Sequence, residues 1–226
     1  NQLLKIPEEA DAPPLPAPPR SNSTVFSPVN SIVPYAHLEG GYNDFKRQPL
    51  LLTMLSACGP VIASGDVNKD GRTDIFAGGA QGNPAKVFVQ KRDGSFNESL
   101  SVEFHKMHTD ADAVFFDADR DGDDDLYVVS GGYNEYAPND PALQDRLYLN
   151  DGTGNFTIAD DRLPEILVSK SCVAPADYDH DGDIDLLVTS ADGPRLLRNH
   201  GLDKTGGFAD VTAEGGLPEA GAFRAT

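Results

Sequence analysis

The sequence predicts an all-β fold, a β-propeller or an open segment of one, built from four-stranded blades. The first observation is an acidic phrase that occurs three times, beginning at Asp66, Asp117 and Asp177. The second is that a β-rich run and then a hairpin pattern follow each phrase. The third is the spacing of the phrases, roughly 50–60 residues, which is too long for a solenoid coil and suits a four-stranded blade.

Each repeat has the same order of elements. An apolar run leads into the acidic loop, a β-rich run follows and ends in small residues, and a pair of further runs encloses a turn. That pair reads AKVFVQKRDGSF (85–96), DRLYLNDGTGNF (145–156) and PRLLRNHGLDKTGGF (194–208). Turn residues between β-rich runs are typical of β-hairpins, so each repeat supplies about four short strands.

We divide the chain into a proline-rich tether (1–24), a lead-in segment of uncertain structure (25–57) and the blades (58–226). The proline-rich composition of the tether is typical of an extended linker. The blades are expected to cover about 58–110, 111–170 and 171–214. Because the tail (216–226) has the look of an approach to a fourth loop, we expect an incomplete propeller within a longer protein.

The net charge of the chain limits the classes of partner that it can bind. It has 36 acidic residues against 18 Lys and Arg, for a net charge of −18. This argues against nucleic acid and anionic membrane surfaces, since both are bound through basic patches. No apolar stretch approaches the roughly 20 residues of a membrane-spanning helix. Cations are the natural partners of such a chain.

The acidic loops have the pattern of a cation site. Positions 1, 3, 5 and 9 carry oxygen-bearing side chains, position 6 is glycine, and the carbonyl of position 7 can supply a further oxygen. Oxygen ligands without Cys or His favour Ca²⁺ over zinc, copper or magnesium. We therefore expect about three calcium ions. The expected metal residues are Asp66, Asn68, Asp70, Arg72, Asp74, Asp117, Asp119, Asp121, Asp123, Asp125, Asp177, Asp179, Asp181, Asp183 and Asp185.

Two related calcium motifs do not fit. A helix-flanked hand, like a dockerin, needs an acid at position 12, where this chain has Ala77, Val128 and Val188. The residues that follow each loop are also β-rich rather than helical. Solvent-facing acidic turns without metal remain the alternative. Position 4 of the loops, occupied by Lys69, Arg120 and His180, is expected to point outward to solvent.

The two cysteines, Cys58 and Cys172, each lie on the run that leads into a loop. A disulfide between them is possible. If the repeats stack in order, however, a whole repeat separates the two, and a disulfide needs Cα atoms within about 7 Å. We expect two small buried residues instead.

The phrase D-x-[DN]-x-D-G-x-x-D-[ILF], followed by a hairpin such as NDGTGNF, resembles the FG-GAP/VCBS repeats, whose blades build integrin-α-like β-propellers. The third hairpin, running into GGFADVTAEGGL, is similar to secreted bacterial proteins that pair these repeats with an ASPIC/UnbV domain, including relatives of cartilage acidic protein. The resemblance covers about 58–214 and implies that the matching loop oxygens bind calcium. Asn68 replaces an acid, and residues 203–205 lengthen the last turn.

We expect this chain to be a calcium-stabilised, extracytoplasmic binding or scaffold module rather than an enzyme. The expectation that it is not an enzyme does not extend to a longer protein that contains it. The location would be secreted, outer-membrane-associated or cell-surface, because calcium is scarce in the cytosol. Expected partners are a protein or glycan at the cell surface, and the rest of a longer chain or a partner that completes the propeller. The alternative is a carbohydrate-binding platform of a secreted polysaccharide-acting enzyme or lectin, although the chain has no Trp for sugar stacking.

Overall fold

The structure is a computed structural model that describes part of the chain. The proline-rich tether, most of the lead-in segment, Cys58 and the tail from 218 lie outside that part, so the predictions about them stay predictions. The described residues all belong to one compact unit, Ile32–Thr226. They are 33–38, 45, 59–99, 107–131, 136–137, 139–201 and 206–217.

The described chain folds into three antiparallel sheets of four strands each, and in every sheet the strands follow in chain order. Two short 3-10 helices, Pro141–Leu143 and Asp160–Arg162, are its helical elements. The predicted all-β fold and the four strands per repeat are confirmed. The strands are β1 (Ile62–Gly65), β2 (Asp74–Ala77), β3 (Lys86–Gln90), β4 (Phe96–Glu98), β5 (Asp110–Phe116), β6 (Asp125–Ser130), β7 (Arg146–Asn150), β8 (Phe156–Ile158), β9 (Lys170–Ala176), β10 (Asp185–Ser190), β11 (Gly193–Asn199) and β12 (Phe208–Asp210).

The strand register places every acidic loop at the same point of its sheet. The residue before each loop pairs with the aspartate at position 9: Gly65 with Asp74, and Phe116 with Asp125. The third sheet repeats this pairing between Ala176 and Asp185. Each loop therefore connects the first and second strands of a blade, and its last aspartate is the first residue of the second strand.

The sheets pack face to face through two apolar clusters. All six residues of β6 are buried. Leu126 and Val128 join the cluster shared with the first sheet, whereas Tyr127 and Val129 join the cluster shared with the third. Since alternate residues of a strand point to opposite faces, the second sheet is covered on both sides, as in a blade between two neighbours.

A buried ion pair lies within the second sheet, at the strand ends opposite the acidic loops, and its aspartate is also bonded to the segment that follows β2 of the first sheet. The Arg146 Nη2 donates to Asp110 Oδ1 at 2.6 Å, and both side chains are almost fully buried. The other Asp110 oxygen accepts a hydrogen bond from the Gly79 backbone N–H at 2.6 Å. Asp110 therefore links β5 to β7 and to the first sheet.

A second buried cation continues this network into the third sheet. The Lys170 ammonium lies 3.3 Å from Asp145 Oδ1 and donates to the carbonyls of Leu143 and Ile166, both at 2.7 Å. The Tyr127 hydroxyl donates to the other Asp145 oxygen at 2.6 Å. Burial raises the pKa of Tyr127 far above its usual value, so this hydroxyl stays a donor. The network satisfies charges that would otherwise be very costly to bury.

Part of the lead-in segment packs on the first sheet. The Tyr35 hydroxyl donates to the Gly78 carbonyl at 2.9 Å, and its ring meets Phe88 edge-on with 5.8 Å between centroids. The Asn83 side chain also donates to the Leu38 carbonyl at 3.2 Å. No helix among the described residues has the length and apolar character needed to cross a membrane.

The prediction that the cysteines are buried is wrong for Cys172, which is exposed. It lies on β9 opposite Thr189, which is also exposed. The reason is that the third sheet has one face packed on the second sheet and an opposite face that is open at these positions.

We predict that Arg146→Met destabilises the protein by about 3–5 kcal/mol, because it leaves Asp110 as a buried charge without its partner. The control is Arg195→Met at the corresponding position of the third sheet, where the side chain is 24% exposed and pairs with Asp192 and Asp210. That change should cost about 1 kcal/mol or less. Urea unfolding of both variants measures the difference, and equal losses would contradict the assignment.

Candidate metal centres

Each acidic loop is curled by two residues with left-handed backbone. Position 6 is glycine, and Gly122 has φ +83°. Position 4 also has positive φ although its residues are not glycine, with Lys69 at +57°, Arg120 at +65° and His180 at +60°. Such angles are uncommon outside glycine and are held only when surrounding contacts favour them. In the second loop the side chains of positions 1, 3 and 5 meet at a common point, and in the third loop those of positions 1, 3 and 9 do so.

The aspartate at position 9 ties the loop to its own sheet. The two carboxylate oxygens of Asp125 accept hydrogen bonds from the backbone N–H groups of Ala118 in the loop and Asn150 on β7, both at 2.8 Å. Asp74 and Asp185 make the same pair of bonds in their repeats. Burial raises the pKa of Asp125 to about 7. These three aspartates therefore have a structural role, because each one fastens its loop to the third strand of the same sheet.

The aspartate at position 1 has an unsatisfied oxygen in two of the loops. Asp117 and Asp177 each accept the backbone N–H of the position-6 glycine through Oδ2, at 3.0 and 3.1 Å. In both, Oδ1 is buried and meets no hydrogen-bond donor. A buried carboxylate oxygen without a donor is costly. A cation at the centre of the loop would satisfy it.

Acidic side chains converge in these same two loops. The second loop brings together Asp117, Asp119 and Asp121, and the third brings together Asp177, Asp179 and Asp185, with ligand oxygens within 4.8 Å of one another. Burial raises the pKa of Asp119, and the neighbouring carboxylates of Asp121 and Asp117 raise it further. Each group could hold a metal ion, and an all-oxygen donor set suits a hard divalent cation.

The first loop differs. Both oxygens of Asp66 are occupied, by the backbone N–H groups of Asp70 at 3.0 Å and Gly71 at 2.7 Å. Position 3 is the neutral Asn68, and the Asp70 carboxylate is paired with the Arg72 guanidinium. No convergent acidic group is found in this loop among the described residues, and its negative charge is partly compensated by a side chain of the protein.

In the third loop, an arginine of the same sheet compensates part of the negative charge. Arg198 on β11 places Nη2 at 2.7 Å from an Asp179 oxygen and 3.5 Å from an Asp181 oxygen. The corresponding residue of the second sheet is Leu149, which carries no charge. Among the three loops, the second therefore has the largest uncompensated negative charge at its centre.

The residues at position 4 of the first two loops, Lys69 and Arg120, are exposed as the sequence predicts, but their charged groups also bind the next loop. Lys69 pairs with Asp123 at position 7 of the second loop, and this hydrogen bond raises the lysine pKa. Arg120 likewise lies 2.7 Å from Asp183 at position 7 of the third loop, and donates to the carbonyl of Asp181 at 2.8 Å. The sequence did not indicate these ion pairs, which form because the position-7 aspartate of the next loop lies within reach of the cation.

Two asparagines that sequence reasoning missed also join adjacent blades. Asn150, at the end of β7, donates its amide to the Val67 carbonyl of the first loop at 2.8 Å. Asn199, at the end of β11, donates to the Ala118 carbonyl of the second loop at 2.8 Å. Both side chains are buried. The signal was present in the sequence, because an asparagine precedes the turn in two of the three hairpins.

Repeated four-stranded blades, each with an oxygen-rich loop after its first strand, define a repeat-built β-propeller module. Residues 66–128 and 132–188 match the family model for the FG-GAP-like repeat. The chain belongs to this family, which confirms the resemblance drawn from the loops. FG-GAP repeats imply a propeller-like interaction module and are typical of extracellular proteins. A search of curated proteins gave no match.

We predict that Arg198→Met strengthens calcium binding in the third loop, because it removes a cation that competes for Asp179 and Asp181. The readout is the rise in melting temperature on adding calcium, which should be larger in the variant than in the wild type. Arg195→Met is the matched control on the same strand, since it leaves the loop untouched and should not change the rise. A smaller rise in Arg198→Met would count against a cation site at this loop.

The raised pKa values of Asp119 and Asp125 predict a pH effect of definite sign. A carboxyl whose folded pKa exceeds the unfolded value takes up its proton preferentially in the folded state. Metal-free protein should therefore gain stability from these groups on acidification, and lose it as the pH rises through about 7 for Asp125. Calcium bound through Asp119 would compete with the proton that this carboxyl takes up, so a rise in melting temperature on adding calcium should shrink between about pH 8 and pH 5.5. A rise that is constant with pH would contradict this.

Proposed function

We propose that the protein is a calcium-stabilised, extracytoplasmic β-propeller module for protein or surface interaction. The observation that carries the proposal is the pair of buried, donor-free oxygens on Asp117 and Asp177, each within a curled acidic loop. The same oxygen in two repeats, at the same loop position, is best explained by a ligand common to both. A calcium ion is such a ligand, because it accepts several carboxylate and carbonyl oxygens at once.

The residues fit calcium better than the other common divalent ions. Zinc and copper favour nitrogen and sulfur ligands, which the loops lack, and magnesium retains more of its water. The second and third loops would hold the first two ions. The first loop would hold a third and weaker one, because an ion there must displace Arg72 from Asp70.

An interaction role is favoured over catalysis by the way the loop carboxylates are used. The position-9 aspartates are held by backbone N–H groups on both oxygens. The position-7 aspartates of the second and third loops pair with the preceding loop, and three acids in each of these loops converge on one point. Calcium at such sites would rigidify the ends of the blades that face a partner. The partner would be a protein or glycan at the cell surface.

The location follows from the ion. Structural calcium modules outside the cell work at about 10⁻⁴–10⁻³ M free calcium, far above the cytosolic level. The family's typical occurrence in extracellular proteins supports the same conclusion.

The direct test is the melting temperature with calcium and after metal removal, for the wild type and for Asp121→Ala. Ligand-linked stabilisation amounts to about 2.7 kcal/mol when calcium is 100-fold above its dissociation constant. The variant removes a charge from the most acidic loop, so it should lose part of the calcium-dependent rise and melt normally, or slightly higher, without metal.

The matched control is Asp161→Ala, which removes the same charge from a side chain that is 82% exposed and remote from the loops. It should retain the whole calcium-dependent rise. The proposal would be wrong if wild-type protein melted at one temperature under both conditions.

A further inference from the structure

We propose that the exposed face of the third sheet is a docking surface for a further FG-GAP-type blade. That further blade would have an aspartate at position 7 of its loop and an asparagine at the end of its third strand. We call this surface the outer face. It consists of Cys172, Ala174 and Ala176 on β9, Tyr178 in the loop, and Leu187 and Thr189 on β10.

The first argument is that the same face is an interface in the other two sheets. In the first sheet, Val67 and Phe76 are fully buried against the second sheet. In the second sheet, Ala118 and Tyr127 occupy the same two positions and are buried against the third.

At these two positions the third sheet has Tyr178 and Leu187, each 40% exposed. The equivalent face is buried in the other two sheets. Along β10 the exposed Leu187 alternates with the buried residues Leu186 and Val188. The outer face therefore has the composition of an interface rather than of a solvated surface.

The second argument concerns polar contacts that recur at both blade interfaces. Position 4 of one loop reaches an aspartate at position 7 of the next, as Lys69 does with Asp123 and Arg120 with Asp183. An asparagine of the following blade donates to the carbonyl at position 2, as Asn199 does with Ala118.

The third loop offers its half of both contacts. His180 stands at position 4 with the same left-handed backbone, φ +60°. The Tyr178 carbonyl stands at position 2. Among the described residues, neither has the partner that its counterparts have. The partner that fits them is therefore a blade that supplies an aspartate and an asparagine at the two corresponding positions.

A second copy of this chain is a poor occupant, because its first sheet lacks both partners. Position 7 of the first loop is Arg72 in place of aspartate, and the residue that ends β3 is Gln90 in place of asparagine. Arg72 is itself occupied by Asp70 and the Gln90 carbonyl. If Arg72 of a second copy faced His180, it would place a nitrogen donor where the other interfaces have an aspartate acceptor.

Cys172 provides a probe of the docking surface. Its counterpart in the second sheet is Asp112, whose carboxylate accepts the Val173 backbone N–H of the next sheet at 2.9 Å. A blade docked on the third sheet should therefore cover Cys172. A Cys58→Ser background leaves Cys172 as the single thiol.

The experiment inserts a copy of residues 160–211, with Cys172→Ser in the copy, between Val211 and Thr212 of the full chain. This reproduces the natural connection between the second and third sheets, since the Val211 N–H bonds to the Leu196 carbonyl as the Ala159 N–H bonds to that of Leu147. Maleimide labelling of the original Cys172 is then compared with labelling of the uninserted parent, with calcium and without it. Comparing both conditions separates a failure to dock from a failure to bind metal.

Docking predicts that Cys172 labels at least about tenfold more slowly in the extended chain, because reaction then requires the interface to open. The control has Asp183→Ala and Asn199→Ala in the inserted copy only, and should lose part of this protection. Equal labelling of parent and extended chains would overturn the proposal. So would protection of Cys172 that grows with the concentration of the parent, since a second copy would then be the occupant.

A variant of the parent keeps the proposal testable if the extended chain does not fold. Leu187→Lys should shift the melting temperature by only about 2 °C or less if the outer face is open in the isolated chain, since surface changes are usually mild. Val188→Lys, one residue along β10 and fully buried, should be strongly destabilising. Comparable losses from both would show that the outer face is already covered and would overturn the proposal.

Discussion

The acidic loop is the point through which each blade is tied both to itself and to its neighbour. Its position-9 aspartate staples the loop to the third strand of its own sheet, as Asp125 does through Ala118 and Asn150. In the first two loops, the position-4 cation and the position-2 carbonyl are bound by the following blade. A change in the conformation of one loop therefore acts on the packing between two blades, and not on a surface turn alone.

This arrangement concentrates negative charge where the blades meet. Unit charges of the same sign 4 Å apart repel by about 4 kcal/mol at an effective dielectric of 20. Lys69 offsets part of this charge in the second loop, and Arg198 offsets part of it in the third. Neither contacts the buried oxygen at position 1, so the loops hold more charge than the protein's own cations neutralise. A bound divalent ion would turn the same repulsion into a stabilising interaction.

The fold was predictable because its signals are local and occur three times. Turn glycines, alternating apolar residues and the spacing of the aspartates determine a blade without any knowledge of its neighbours. Contacts between blades were not predictable in the same way. Lys69 and Arg120 are exposed, as predicted, but their ion pairs could not be predicted, because the aspartates that they bind lie 54 and 63 residues away in the next repeat. Cys172 looked buried because its strand resembles those that are covered on both faces.

The buried ion pairs show the same limit. Asp110, Arg146 and Lys170 are each the first residue of a strand, and each is distant in sequence from its partner. The position of Arg146 is basic in the other two sheets as well, where it is Lys86 and Arg195, but the pairing is not repeated, because the residue of the third sheet that corresponds to Asp110 is Lys170. The repeated asparagines Asn150 and Asn199 are the exception, because their shared place before a turn could have been noticed.

The central claim is that the acidic loops need a cation, and calcium binding to the metal-depleted protein tests it most directly. Equilibrium dialysis against radioactive calcium at neutral pH should show saturable binding of at least two ions per chain, one for each convergent acidic group. An equal concentration of magnesium should displace little of it, because magnesium gives up its water reluctantly. Binding of less than one ion per chain at millimolar calcium, or full displacement by magnesium, would contradict the account.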